Sequence, residues 1–306
     1  MRVSDVATLS FAEQERALRE GWGAHIRQLD LVTVTGADAA SFLEGQLSQA
    51  VATMAPGDCR WSFVLHPQGK VVALVRVQRA DADRFDLLVD GSCGEAVAER
   101  LSRFLLRVRA EVSSRTVDVV SLRGLALPDQ ASEPDQASEP ETAVPSMWEE
   151  WPGYDLLDRT AIPEGAAACE APAWEAARIG VGLPLNGAEL TEKTIPAESG
   201  MVAQAADFTK GCYVGQELVA RIDSRGHVNK TLRRLSIPVG TVPPAGTALF
   251  GDDPGKPVGA VTSSSPSGMS GAGVALGYVR REVLDLAVLR AALDSGQGEV
   301  EVHLLA

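Results

Sequence analysis

The chain has 306 residues, 45% hydrophobic and 23% charged, enough to bury a substantial core and to favour two or three structural units over one. No run approaches the roughly 18 consecutive apolar residues of a membrane span, and the first residues lack a basic stretch followed by an apolar block, so a cytoplasmic chain with no membrane association is expected. A formal charge of −13 excludes a protein that coats nucleic acid through a general basic surface, because that mode rests on many Lys or Arg contacts to phosphate.

In chain order, Ala39, Phe42, Leu43 and Leu47 fall on one stripe of a predicted helix. Alternating apolar residues over 61–65, 71–77 and 85–89 predict three strands, with turns at His66-Pro67-Gln68-Gly69 and Asp81-Ala82-Asp83. Ser92 and Glu95 have capping-box spacing, and Val97, Leu101, Phe104 and Leu105 then recur at helical intervals before a strand at 108–112. This ββαβ order within 60–113 reads as a ferredoxin-like part of N-terminal α+β units spanning 1–127. The sequence DQASEP at 129–134 repeats unchanged at 135–140, and its composition cannot bury apolar surface, so 128–146 is predicted as an acidic disordered linker or insertion. A central α+β unit occupies 147–230. Short β-like runs at 232–238, 248–250, 258–262, 274–279 and 300–305, punctuated by Pro and Gly, predict a β-barrel or sandwich over 231–306.

The four cysteines, Cys59, Cys93, Cys169 and Cys212, lie far apart, and no pair has the spacing of a zinc or iron-sulfur ligand set; no metal site is predicted. Three of them read as small buried hydrophobes. Cys212 differs, because Gly211 and Gly215 bracket it and Lys210 lies two residues away, where a positive charge favours the thiolate. Packing is the competing reading for Cys212, and no His lies beside it in sequence. Arg221, Arg225 and Lys230 follow closely and form either an anion site or a solvated face paired with Glu217 and Asp223; bases so near two glycines favour the anion site.

Lys210-Gly211-Cys212-Tyr213-Val214-Gly215-Gln216-Glu217, continuing into Ala220-Arg221-Ile222-Asp223-Ser224-Arg225-Gly226, resembles the signature of the folate-binding YgfZ family, related to glycine-cleavage aminomethyltransferases. The likeness extends through Arg178, Gly182-Leu183-Pro184, the 193–198 stretch, the N-terminal 34–39 and 42–47 runs and Leu276-Gly277-Tyr278-Val279-Arg280. The resemblance implies an α+β fold, a three-unit cloverleaf around a central channel with a C-terminal β-barrel, holding tetrahydrofolate or a derivative. It also implies support of iron-sulfur enzymes or assembly proteins and of tRNA modification, with tRNA itself among the expected partners. By position it assigns Cys212 as the reactive thiol with Lys210 beside it. It assigns Arg178, Glu198, Tyr213, Gln216, Glu217, Arg221 and Arg225 to the folate channel. Two positions depart from the pattern of relatives. Where aminomethyltransferases carry aspartate, this chain has Ala73-Leu74, and where relatives carry a glutamate after Arg178, it has Gly180; Glu175, Glu189 and Glu198 are the candidate substitutes. A general acid must reach the proton it handles, so folate binding without aminomethyl transfer is the preferred expectation. A folate-dependent aminomethyltransferase and a scaffold binding protein or RNA are the alternatives.

Overall fold

The computed structural model describes residues 9–125, 143–225, 228–238, 240, 242–267, 269, 271–293 and 298–305, with the backbone alone for 221–225. The tandem DQASEP repeat lies outside the described residues.

Helix α1 (Phe11–Arg19) opens with a capping box between Ser10 and Glu13. Strand β1 (Gly23–Thr35), helix α2 (Ala39–Gln46), strands β2 (Cys59–Leu65), β3 (Val71–Asp81) and β4 (Arg84–Val89), helix α3 (Gly94–Ser102) and strand β5 (Glu111–Arg123) follow. Then come β6 (Ala143–Pro145), β7 (Gly153–Leu157), β8 (Ala167–Ala168) and helices α4 (Ala171–Gly180), α5 (Val202–Ala205) and α6 (Gln216–Arg225). The chain closes with β9 (Lys230–Ile237), β10 (Ala248–Phe250), β11 (Pro257–Pro266), β12 (Gly273–Arg280), β13 (Val288–Ala292) and β14 (Glu299–Leu304).

The architecture is α+β with a C-terminal barrel. An eight-stranded sheet runs β2-β3-β4-β1-β5-β7-β6, with β8 added in parallel to β1, so it draws strands from both sides of 126–142. Six strands close a barrel in the order β10-β11-β12-β9-β14-β13, which leaves no free sheet edge. One apolar cluster joins α2 and α3 to one face of β1–β4 through Phe42, Leu43, Val75, Phe85, Val97 and Leu101. On the opposite side Trp61, Phe63, Leu65 and Leu74 pack against Met201, Tyr213 and Val219. Strand alternation separates the two: Ala73 faces the first cluster and Leu74 the second.

Helix α3 forms where its periodicity predicts, but not through a Ser92–Glu95 capping box. Ser92 has φ +56°, and the first helical amide, Gly94 N–H, is taken instead by the Asp30 carboxylate of β1 at 2.8 Å. The helix ends at Ser102, so Phe104 and Leu105 lie in the turns beyond it.

Candidate functional site

The segment from Asp207 to Gly215 is fastened to the N-terminal half of the chain at several points. Asp207 N–H donates to Ser48 O at 2.9 Å, and Val214 N–H to Gly45 O at 3.1 Å. The Lys210 side chain is 1% exposed, and its ammonium donates to the carbonyls of Glu44, Leu47 and Gln49 at 2.7, 2.8 and 2.9 Å, in the last turn of α2 and just past it. These bonds use all three N–H donors, two of them on the Glu44 and Leu47 carbonyls that the end of α2 leaves open, with the charge at the negative end of its dipole. Burial pulls the Lys210 pKa below the ordinary lysine value, with the Glu44 carboxylate 3.4 Å away opposing the shift. Lys210 is therefore placed to hold the loop, not to act on sulfur.

Tyr213 anchors the other side. Its ring is buried among Trp61, Leu65, Met201 and Val219, and burial pushes its pKa up to about 12. Gly215, at φ +86°, lies against the β2–β3 turn: a Cβ there would come within 2.7 Å of His66 O, and one on Gly69, at φ +79°, within 2.4 Å of the Leu218 Cβ. The two glycines let the turn and the start of α6 meet. Gln216 accepts a bond from Tyr213 N–H at 3.4 Å, and Glu217 is exposed in the first turn of α6, where the helix dipole favours an acid. Between these anchors Cys212 is exposed, whereas Cys59 and Cys169 are buried, with thiols pushed up to about 11 by desolvation. Burial and Asp30 also raise the Cys93 thiol.

A cavity of about 320 Å³ opens between the sheet and α4. Of the five tryptophans in the chain, Trp61, Trp148, Trp151 and Trp174 line it, together with His25, four arginines, Asp90 and Glu175. Arg27 and Arg123 lie over the Trp174 ring at 5.0 and 5.2 Å, and Arg76 lies over Trp61 at 5.8 Å. Beneath the floor is Asp155, fully buried. It pairs with Arg76, with Arg27 at 3.3 Å and with Arg123 at 3.0 Å. Burial alone would raise the Asp155 pKa, but Arg123, Arg76 and Arg27 outweigh it and hold the carboxyl far below its ordinary value. His25 Nδ1 is 2.8 Å from Cys169 O and its ring stacks on Trp174; burial lowers its pKa, the carbonyl opposes and Arg27 adds to the shift.

Among the residues expected to bind a cofactor, Arg178 lines this cavity. Its guanidinium is bidentate to Glu175 at 2.9 to 3.2 Å and also reaches Glu189 at 3.2 Å. Glu198, Tyr213, Gln216 and Glu217 do not line it; Glu198 lies 3.8 Å from Lys230, its pKa raised by burial against that lysine. The side chains of Arg221 and Arg225 lie outside those described. The tryptophans and the buried strand arginines are what sequence reading missed. An arginine inside an apolar strand, as in Val75-Arg76-Val77, was the available signal. A second space of about 700 Å³ shares Trp61, Ser146 and Trp148 with the cavity and reaches Gln49, whose carbonyl binds Lys210. The thiol loop thus packs behind a wall of the cavity.

No family model matches the chain. It is 26% identical to the tRNA-modifying protein YgfZ of Vibrio vulnificus, over 76% of this chain and 74% of that protein. It is 29% identical to a mitochondrial iron-sulfur cluster assembly factor IBA57 homolog of Pyricularia oryzae, over 66% of this chain and 54% of that one. The crystal structure of the glycine cleavage system aminomethyltransferase T from Bartonella henselae superposes with a TM-score of 0.80 at 17% identity, covering 97% of this chain and 89% of that one. The chain thus resembles YgfZ proteins in sequence and shares its fold with the aminomethyltransferase.

Within this aminomethyltransferase-like fold the two departures acquire a geometry. The strand position that faces the cavity is Leu74, not Ala73, and its backbone N–H and C=O are both held by the Asn186 side chain, at 2.8 and 2.9 Å. Neither residue is an acid. Gly180 does not line the cavity: a Cβ on it would point at Arg19 Nη1, 3.0 Å away. Of the three candidate substitutes, Glu175 reaches the cavity. Glu189 is sealed beneath Arg178 with bonds from Leu185 N–H and Ser263 Oγ, and Glu198 stands elsewhere.

Proposed function

We propose that this protein binds a reduced folate in the central cavity and supports iron-sulfur enzymes, including those that modify tRNA, through Cys212, without itself transferring an aminomethyl group. The observation that carries the reading is Cys212: among the four thiols it is the exposed one, and it sits between Lys210, Tyr213 and Gly215, each fixed to the body of the protein. The names of the relatives, a tRNA-modifying protein and an iron-sulfur cluster assembly factor, support the same direction.

The cavity residues fit a folate. Tryptophan faces suit a flat heterocycle, and arginines suit the carboxylates of its glutamate tail. Two buried donors on lining residues, Trp148 Nε1 and Arg123 Nε, have no partner among the described residues and are open to a polar ligand. Glu175 is the carboxylate available to ring N–H groups, oriented by Arg178. When bound, a reduced folate supplies nitrogens that carry one-carbon units. The other cavity carboxylate, Asp90, is paired with Arg27; burial would raise its pKa, but Arg27 and Arg76 hold it below its ordinary value, so it stays ionised and is a poor proton donor at neutral pH. That weighs against aminomethyl transfer.

Rescue of a bacterial strain lacking its own YgfZ protein tests the role of the thiol. Cys212→Ser is expected to abolish rescue, while Cys59→Ala and Cys93→Ala retain it. Equal rescue by all three reduces Cys212 to packing, and turnover of an aminomethyl donor by the wild type overturns the non-transferase reading.

A further inference from the structure

Among the described residues, four arginines are buried to 4% exposure or less: Arg76, Arg100, Arg123 and Arg178. Arg76 and Arg123 pair with Asp155, and Arg178 with Glu189 and Glu175. Arg100 has no carboxylate partner among the described residues. On α3, its Nε donates to Leu65 O at 2.8 Å and its Nη1 to Gln46 Oε1 at 3.0 Å. Phe104 covers one face of the guanidinium at 4.3 Å, and Nη2 is buried with no acceptor among the described residues. A guanidinium does not shed its charge at physiological pH, and burying one without a counter-charge is strongly unfavourable. In the other three cases the chain supplies that charge itself.

Arg100 lines a cavity of about 440 Å³ with His66, Cys93, Arg103, Gly187 and Glu192. This space shares no lining residue with the central cavity. The wall between them forms where Gly91, at φ +87°, meets Asn186: a Cβ on Gly91 would come within 2.1 Å of Asn186 O. Glu99, on the same rim, is taken up by Arg103 in an ion pair, and Glu192 makes none with Arg100.

We propose that this second cavity is an oxyanion site, in which Arg100 supplies the charge for the carboxylate or phosphate group of a small molecule. The assignment rests on a buried cation with an open donor beside a cavity, and it is independent of the folate reading. The fork geometry of Arg suits both groups.

Cys93, half-buried on the same wall, is a built-in reporter. In full-length Cys212→Ser protein it is the accessible thiol, since Cys59 and Cys169 are buried. Inorganic phosphate or glutarate at ten times its Kd is expected to slow iodoacetamide alkylation of Cys93 roughly tenfold. Protection by phosphate assigns a phosphate ester, and protection by glutarate a carboxylate. Adding Arg100→Met is expected to remove the protection. Should that variant fail to fold, Arg100→Lys, which keeps the charge without the fork, is expected to weaken it. Failure of both anions to protect, or protection that persists undiminished in the folded Arg100 variant, overturns the proposal.

Discussion

Asp155→Asn is expected to destabilise the protein by about 3–5 kcal/mol, the cost of leaving buried charges without their partner. Arg27, Arg76 and Arg123 converge on this carboxylate, and in the variant Asp90 is the remaining acid in the cluster. The amide keeps the shape and removes the charge, so a shifted urea midpoint with an unchanged slope isolates the electrostatic loss. The pH dependence has a definite sign. The folded-state pKa of Asp155 is depressed far below its ordinary 3.8, so the stabilisation is complete above that value and is lost as pH falls beneath it. Between pH 3.8 and 2 the advantage of wild type over the variant should shrink by about 1.4 kcal/mol per pH unit. A difference independent of pH in that window would mean that Asp155 is not the hub described.

Lys210→Met is expected to act locally. The methionine fills the space but leaves the carbonyls of Glu44, Leu47 and Gln49 without their shared donor, each worth roughly 1–3 kcal/mol when buried and unpaired. Loop detachment relieves this at lower cost than global unfolding, so hydrogen exchange of amides over 207–215 should accelerate by about 30-fold or more, corresponding to about 2 kcal/mol of local stability. Exchange in the C-terminal barrel should not change. Rescue should fall as well, because Cys212 loses its fixed position. Unchanged exchange in the loop would show that Lys210 is not its anchor.

The sequence made the elements with clean periodicity legible. Helix α2 and strands β2 to β4 lie where the apolar spacing places them, and most barrel strands fall within a few residues of their predicted runs. Strand β1 escaped because His25, Arg27 and Asp30 break its alternation; His25 and Arg27 face the cavity, Asp30 caps α3, and the charge of Arg27 is met by Asp155 and Asp90, far away in sequence. Strand β13 escaped because Val288-Leu289-Arg290-Ala291-Ala292 has helical propensity, which barrel closure overrides. The Cys212 segment was legible through its glycines, which the β2–β3 turn requires at Gly215. The task of Lys210 was not: nearness in sequence placed its charge beside the thiol, whereas the fold sends it to the end of α2. The cavity itself was invisible, since β1, β2, β3, β5 and α4 each contribute only one to three of its aromatic or charged walls.

The proposed division of labour puts folate in the central cavity and the reactive thiol outside it, on the loop packed behind its wall. Calorimetric titration of tetrahydrofolate into Cys212→Ser alongside wild type tests this most directly. Saturable binding with the same Kd in both proteins is the predicted result; absence of binding to wild type, or its loss in Cys212→Ser, would contradict it.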